Sequence, residues 1–475
     1  MTPKQLAKFF PLGPDSLPQP GVPRGRVEAR TLDSSRVFPG TVRDYWVYVP
    51  AQYRASRPAC VLVVQDGHAH LFGGRWNLAV VLDNLIHQRA MPVTIGVFIN
   101  PGKVPAARAG GAERDNRSLE YDTPGDRYAR FVLEEILPEV ARDYLLRTDG
   151  NSRAIFGGSS GGMCALNAAW SRPDAFQRVV SEVGSFTPMR GGHDFAAQVR
   201  LTAPKPLKVF LQGGADDLDV VNGHWWTANL EMLAALSYAG YDVNHVWHER
   251  AGHNEYHCNM VAPDALRWVW SDYPKQPVAG RGSKQPIAQL LAPQKNWREG
   301  TRIKPAERAP NRVVTKEGCT YVAEMARNRV VLIEGRSAPR VVAKLSKPMA
   351  LALTPDEAQL VIATSEGSDT RMAVITADGG LVSVEPYFRR INDAASPAGN
   401  NVAIAMAKPG WLITATEHSI QFNNSNGLPS GIMPAPGAGP ITDLWLGGPK
   451  RDVLWVACGG RWYHRRLRLI ESLWC

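Results

Sequence analysis

Six consecutive small residues, Gly157-Gly158-Ser159-Ser160-Gly161-Gly162, stand between an apolar stretch, Arg153-Ala154-Ile155-Phe156, and an amphipathic one running from Met163 to Trp170. Few local patterns restrict a chain so tightly. A strand that turns directly into a helix brings backbone so close at the turn that side chains flanking the serine have no room, and the serine is left at the strand's end as a nucleophile elbow. Such a turn needs a sheet behind it. Apolar runs at 45–49, 60–64, 93–99, 154–156, 179–183 and 209–211 alternate with segments of helical period at 77–87, 126–144 and 225–238. This alternation predicts an α/β domain whose mostly parallel sheet is covered by helices on both faces.

With 475 residues, 44% of them hydrophobic, the chain is long enough for more than one core. Residues 1–40 are rich in proline and glycine and read as an extended lead-in, and residues 41–273 carry the α/β pattern. Residues 274–315 read as a Pro/Gly-rich linker with one short helix at 287–291. From 316 to 475 the alternation stops and a repeat begins. Tyr321-Val322-Ala323-Glu324, Val361-Ile362-Ala363-Thr364, Ile413-Thr414-Ala415-Thr416 and Trp455-Val456-Ala457-Cys458 are apolar strands ending in or beside a small residue, with starts 40, 52 and 42 residues apart. That period is the blade period of a β-propeller, and about four units predict an incomplete, propeller-like all-β domain.

The bulk properties exclude several classes. A net charge of +10 is mild for this length, and the basic tail at 461–468 reads as a solvated terminal strand, so no nucleic-acid partner is expected. Six cysteines make no disulfide framework, no pair has metal-ligand spacing, and Cys60 and Cys164 fall inside apolar runs. No cofactor is expected. No stretch approaches the roughly 18 apolar residues of a membrane span, and the first ten residues lack the apolar core of an export signal. The sequence as written therefore reads as a soluble chain, cytoplasmic by default, or periplasmic or secreted if a leader was removed. The C-terminal β domain offers a surface for homodimerisation.

Serine chemistry needs a base to take the hydroxyl proton, an acid to hold the base in one tautomer, and backbone donors for an oxyanion. On this fold the order is Ser, Asp or Glu, His. Downstream of Ser159, Asp217 follows the strand-like 209–211 region and His253 follows Gly252. Ser160 competes with Ser159 for the nucleophile, Asp216 with Asp217, and His248 and His257 with His253. The oxyanion donors expected are the amide of Ser160 and, in the turn Gln65-Asp66-Gly67-His68, the amide of His68 made available by Gly67. Arg117, in the loop Arg114 to Asp122, is placed to hold an anionic group with Glu120 orienting it, or else to form a solvated ion pair. Trp225 and Trp226 wall the substrate pocket or belong to the core.

The motifs Phe38 to Tyr45, Gln65-Asp66-Gly67, Arg117-Ser118-Leu119-Glu120-Tyr121, the glycine-serine hexapeptide and Gly252-His253-Asn254 resemble the enterochelin-esterase-like branch of the α/β-hydrolases. Feruloyl and acetyl-xylan esterases and the esterase-D group are similar in the same parts. The resemblance spans about residues 25–275. It implies Ser159 as nucleophile, His253 as base, the Asp217 position as acid and the Gly67-His68 turn as part of the oxyanion hole, acting on small, aryl, carbohydrate or siderophore esters. Residues 321–329, 347–356 and 446–456 resemble the gluconolactonase, or senescence-marker, propeller. That family holds a divalent metal through a glutamate, an asparagine and an aspartate. This chain has Met349 and Val402 at the latter two places, so no metal site and no lactonase chemistry are expected from it.

Overall fold

The apolar runs become the strands of one eight-stranded sheet: β1 (Arg26–Leu32), β2 (Arg43–Val49), β3 (Cys60–Gln65), β4 (Thr94–Ile99), β5 (Arg153–Gly158), β6 (Arg178–Glu182), β7 (Lys208–Asp216) and β8 (Asp242–Gly252). In the computed structural model they lie in the order β1-β2-β4-β3-β5-β6-β7-β8. β2 runs antiparallel to β1 and β4, and every pairing from β4 to β8 is parallel. The structure describes residues 1–73, 77–106, 108, 111–280, 284–291, 296–300, 309–365, 367–391, 400–408 and 410–468.

Every residue of β3 and β4 is buried, as strands covered on both faces require. On one face, Leu62, Val64, Phe98, Phe156, Val180 and Phe210 pack against helices α2 (Leu78–His87) and α5 (Glu255–Trp270). Their neighbours Val61 and Val63, which the pleat turns to the opposite face, are equally buried. Helix α3 (Ser160–Ser171) is buried from Ser160 to Trp170. Two further helices flank the strand ends, α1 (Gly67–Phe72) and α4 (Trp225–Tyr238).

The lead-in contains more structure than its composition signals. β1 lies within it, paired with β2 along its whole length. Its charged residues hide it: Glu28 accepts from Arg26 at 2.9 Å, from Arg30 at 3.1 Å and from the Tyr144 hydroxyl at 2.6 Å, so the outer edge of the sheet looks polar in sequence.

The chain divides into two compact units, the first of Met1–Ala196 with Pro204–Arg281 and the second of Ala197–Ala203 with Gly282–Cys475. The second unit holds four four-stranded antiparallel sheets in a propeller-like ring. The four repeated motifs each lie on the second strand of a sheet, within Thr320–Glu324, Gln359–Thr364, Trp411–Thr416 and Val453–Cys458. The last sheet takes its outermost strand, Arg298–Gly300, from the region expected to be linker. The short helix predicted there is Pro286–Leu290, with Ile287 and Leu290 buried in the core of the third and fourth sheets. Met349 and Val402 pack against apolar clusters. No helix among the described residues is long and apolar enough to cross a membrane.

Candidate active site

The C-terminal ends of β3, β5, β6, β7 and β8 converge on one place, where open α/β sheets hold their ligands. At the end of β5, Ser159 takes φ 59° and ψ −124° and α3 begins with the next residue. Among the glycines around it, two are demanded by space. A Cβ on Gly157 would lie 2.4 Å from the Gly161 carbonyl oxygen and one on Gly162 2.9 Å from the Glu182 carbonyl oxygen, whereas one on Gly161 would press on Gln65 Cβ at 3.1 Å. Gly158, immediately before the serine, has its nearest neighbour at 3.8 Å. The expectation that both flanking positions must be bare is thus corrected, because the turn closes Gly157 onto Gly161 and leaves a Cβ on Gly158 in ordinary van der Waals contact with the Glu182 carbonyl oxygen.

Ser159 Oγ lies 2.8 Å from His253 Nε2, and His253 Nδ1 lies 2.7 Å from Asp217 Oδ1. A carboxylate only accepts, so Nδ1 carries the ring hydrogen and Nε2 faces the serine as an acceptor. The Asp217 side chain is 1% exposed and that of His253 is 21% exposed, so the base reaches the surface while its acid is shut away. The competing residues lie elsewhere. Asp216 ends β7 with its surface exposed, and Ser160 is the first residue of α3. His248 packs on Phe9 and Phe10, and buried His257 takes its Nδ1 contact from Gln212 Nε2 at 2.7 Å. Burial lowers the His257 pKa to about 4, with His248 adding to the effect.

The turn after β3 differs from expectation in two respects. The left-handed residue is Asp66, at φ 52°, and Gly67 is required for room, since a Cβ there would meet the Phe98 carbonyl carbon at 2.4 Å. The His68 N–H is donated to Asn100 Oδ1 at 3.0 Å and is not directed at the serine. The amides of Gly67 and Ser160, each the first residue of its helix, have no acceptor among the described residues.

Arg117 and Glu120 do not act together. Arg117 forks onto Asp66, Nε to Oδ1 at 2.9 Å and Nη2 to Oδ2 at 2.8 Å, and so grips the turn that carries Gly67. Glu120 is fully buried against Arg43, whose Nη1 donates at 2.5 Å and Nη2 at 3.1 Å, and it also accepts from the Gly102 amide. A pairing across 77 residues leaves no local trace in sequence. Trp225 is buried, its ring edge-on to His253 at 5.8 Å, and its Nε1 donates to Ser185 Oγ at 3.1 Å. Trp226 stacks edge-on against Trp247 at 5.4 Å. Ser185, a lone serine in a loop, carries no pattern in the sequence.

Known proteins resemble this one in the same region. A 79-residue segment is 34% identical to the ferri-bacillibactin esterase of Bacillus subtilis, covering 16% of this chain and 27% of that protein. Over 251 residues the chain is 25% identical to the iron(III) enterobactin esterase of Dickeya dadantii, covering 48% of this chain and 51% of that protein. The chain thus spans about half or less of the length of these two relatives. A solved enterobactin esterase from Shigella flexneri superposes with a TM-score of 0.42 at 22% identity, over 55% of this chain and 63% of that one. The Esterase family model matches residues 39–307, more than half of the chain, and the protein belongs to that family.

Proposed function

We propose that the protein is a serine carboxylic ester hydrolase that works through Ser159, His253 and Asp217 and a covalent acyl-enzyme. The observation that carries this reading is the unbroken hydrogen-bonded line from Ser159 Oγ through His253 to Asp217, 2.8 and 2.7 Å, on the ends of three strands of one sheet. Ser159 Oγ attacks the ester carbonyl carbon as its proton passes to His253 Nε2. The resulting oxyanion is held by the Ser160 and Gly67 N–H groups, the former also favoured by the positive end of α3. Collapse expels the alcohol, which takes the proton from His253, and water repeats the sequence on the acyl-enzyme to release the acid and restore Ser159. Asp217 keeps the imidazole in the working tautomer, and Arg117, through Asp66, holds the turn that presents the Gly67 amide.

The substrates proposed are small, aryl, carbohydrate or siderophore-type esters, in line with the esterases named above and with the motifs shared with feruloyl esterases. Labelling by a fluorophosphonate probe, together with a panel of acetyl, butyryl, feruloyl and catecholate esters, tests this reading. The wild type is expected to label at Ser159 and hydrolyse part of the panel, and Ser159→Ala to do neither. Hydrolysis at an unchanged rate by Ser159→Ala sinks the proposal.

A further inference from the structure

We infer that Ser185 orients the Ser159 hydroxyl and that Trp225 positions Ser185, an assignment that rests on the ester-hydrolase reading above. Ser185 stands on the loop after β6, 2% exposed. Its main-chain N–H donates to the Ser159 carbonyl at 3.1 Å, and its hydroxyl lies 3.4 Å from Ser159 Oγ. From the first turn of α4, Trp225 Nε1 donates to the same hydroxyl at 3.1 Å.

The sense of each hydrogen in this line is set from its two ends. An indole N–H only donates, so Ser185 Oγ accepts from Trp225 and keeps its own hydrogen for Ser159 Oγ. At the far end the Asp217 carboxylate only accepts, so His253 carries hydrogen on Nδ1 and can only accept at Nε2. Ser159 stands between a donor and an acceptor, and one arrangement satisfies both: it accepts from Ser185 and donates to His253. That is the orientation in which the serine proton is ready to leave.

The Ser185 to Ser159 separation of 3.4 Å exceeds the preferred hydroxyl distance of about 2.8 Å. Such contacts are commonly long in free enzymes and tighten as reaction proceeds. As the Ser159 proton moves to His253, negative charge grows on Oγ, and a neighbouring O–H bonds more strongly to it than to the resting hydroxyl. The interaction therefore acts on kcat in preference to KM.

The test is a double-mutant cycle of Ser185→Ala and Trp225→Phe, read by p-nitrophenyl acetate kinetics, the rate of fluorophosphonate labelling and thermal melting. Each single variant is expected to lower kcat about tenfold, equivalent to about 1.4 kcal/mol, with KM unchanged and labelling slowed in proportion. The double variant is expected to match the single ones, since without the Ser185 hydroxyl the indole N–H has nothing to position. An unchanged kcat in Ser185→Ala, a raised KM alone, or losses that multiply to about a hundredfold each overturn the inference. If Trp225→Phe does not fold, Ser185→Ala with the labelling rate decides. Ser159→Ala run in parallel separates the two claims. A fully active Ser159→Ala refutes the ester-hydrolase reading, whereas an inactive Ser159→Ala beside an unimpaired Ser185→Ala refutes only the role of Ser185.

Discussion

Exchange of Glu182 for glutamine is expected to make the first unit more stable at alkaline pH while leaving it nearly unchanged in mild acid. Glu182 ends β6 with 1% of its surface exposed, and its Oε1 has no hydrogen-bond partner among the described residues. Burial pushes its carboxyl up from 4.5 to about 8, with the Cys258 thiol beside it pulling weakly the other way. Between those two values the folded state holds a proton that the unfolded state releases, so stability from this group is complete below pH 4.5 and is lost as pH rises through 8. At about 1.4 kcal/mol per pH unit the interval amounts to about 5 kcal/mol. A glutamine carries no proton to lose and removes the slope. His257 and His70, whose pKa values burial lowers to about 4, act in the opposite sense, costing stability as pH falls from 6.5 toward 4. They are present in both proteins and cancel in the difference. Hydrogen exchange read by mass spectrometry on peptides covering β6, at intervals from pH 5 to pH 9, reports this unit separately from the second. The wild type and Glu182→Gln curves should coincide near pH 5 and diverge steadily above it. Parallel curves across the range refute the assignment.

Other outcomes follow from the same geometry. Arg43→Met leaves the fully buried Glu120 carboxylate without its cation and should cost about 3–5 kcal/mol in urea unfolding, with Arg43→Met/Glu120→Leu recovering most of the loss. Gly157→Ala forces a Cβ to 2.4 Å from the Gly161 oxygen and should cost about 1–3 kcal/mol along with most esterase activity. Gly158→Ala, with 3.8 Å of clearance, should stay within about 0.5 kcal/mol of wild type and remain active. Asp217→Asn should fold and melt normally yet lose about 10⁴-fold in kcat on p-nitrophenyl acetate, and a loss under tenfold would remove Asp217 from its proposed role.

What could be read in sequence was whatever a short stretch of chain decides. The apolar strands, the glycine-serine turn and the helix after it are contiguous. The four motifs of the second unit share one place in their sheets because each sheet repeats the same connection. What could not be read depends on distant partners or on the aim of a backbone group. Asp216 and Asp217 are equivalent in sequence, and only the course of the chain after β7 turns the second toward His253. The His68 amide was the natural second donor until Asn100, 32 residues on, claimed it. Glu120 looked like a companion for Arg117 in the same polar loop, but its partner comes from β2. A strand as charged as Arg26–Leu32 cannot be told from a loop until its pairing with β2 is seen.

The backbone of Ser159 sits where a side chain is sterically disfavoured, at a cost of order 1–3 kcal/mol, and persists only because its surroundings over-determine it. The bonds that do so come from two directions. Its carbonyl accepts from Gly162 and Met163 in its own helix, at 3.0 and 3.1 Å, but its N–H goes to the Glu182 carbonyl at 2.8 Å and its carbonyl also takes the Ser185 amide at 3.1 Å. The last residue of β6 and the loop after it therefore grip the elbow by both of its main-chain polar groups, and the Ser185 side chain reaches its reacting atom as well. Val183, between those two grips, itself has φ 40° and gives its N–H to Gln212 of β7 at 2.7 Å. β7 is also the strand that leads to Asp217. The same strand thus supports both the clamp on the nucleophile and the carboxylate that orients the base, so a shift of β7 against β6 moves both ends of the hydrogen-bonded line together.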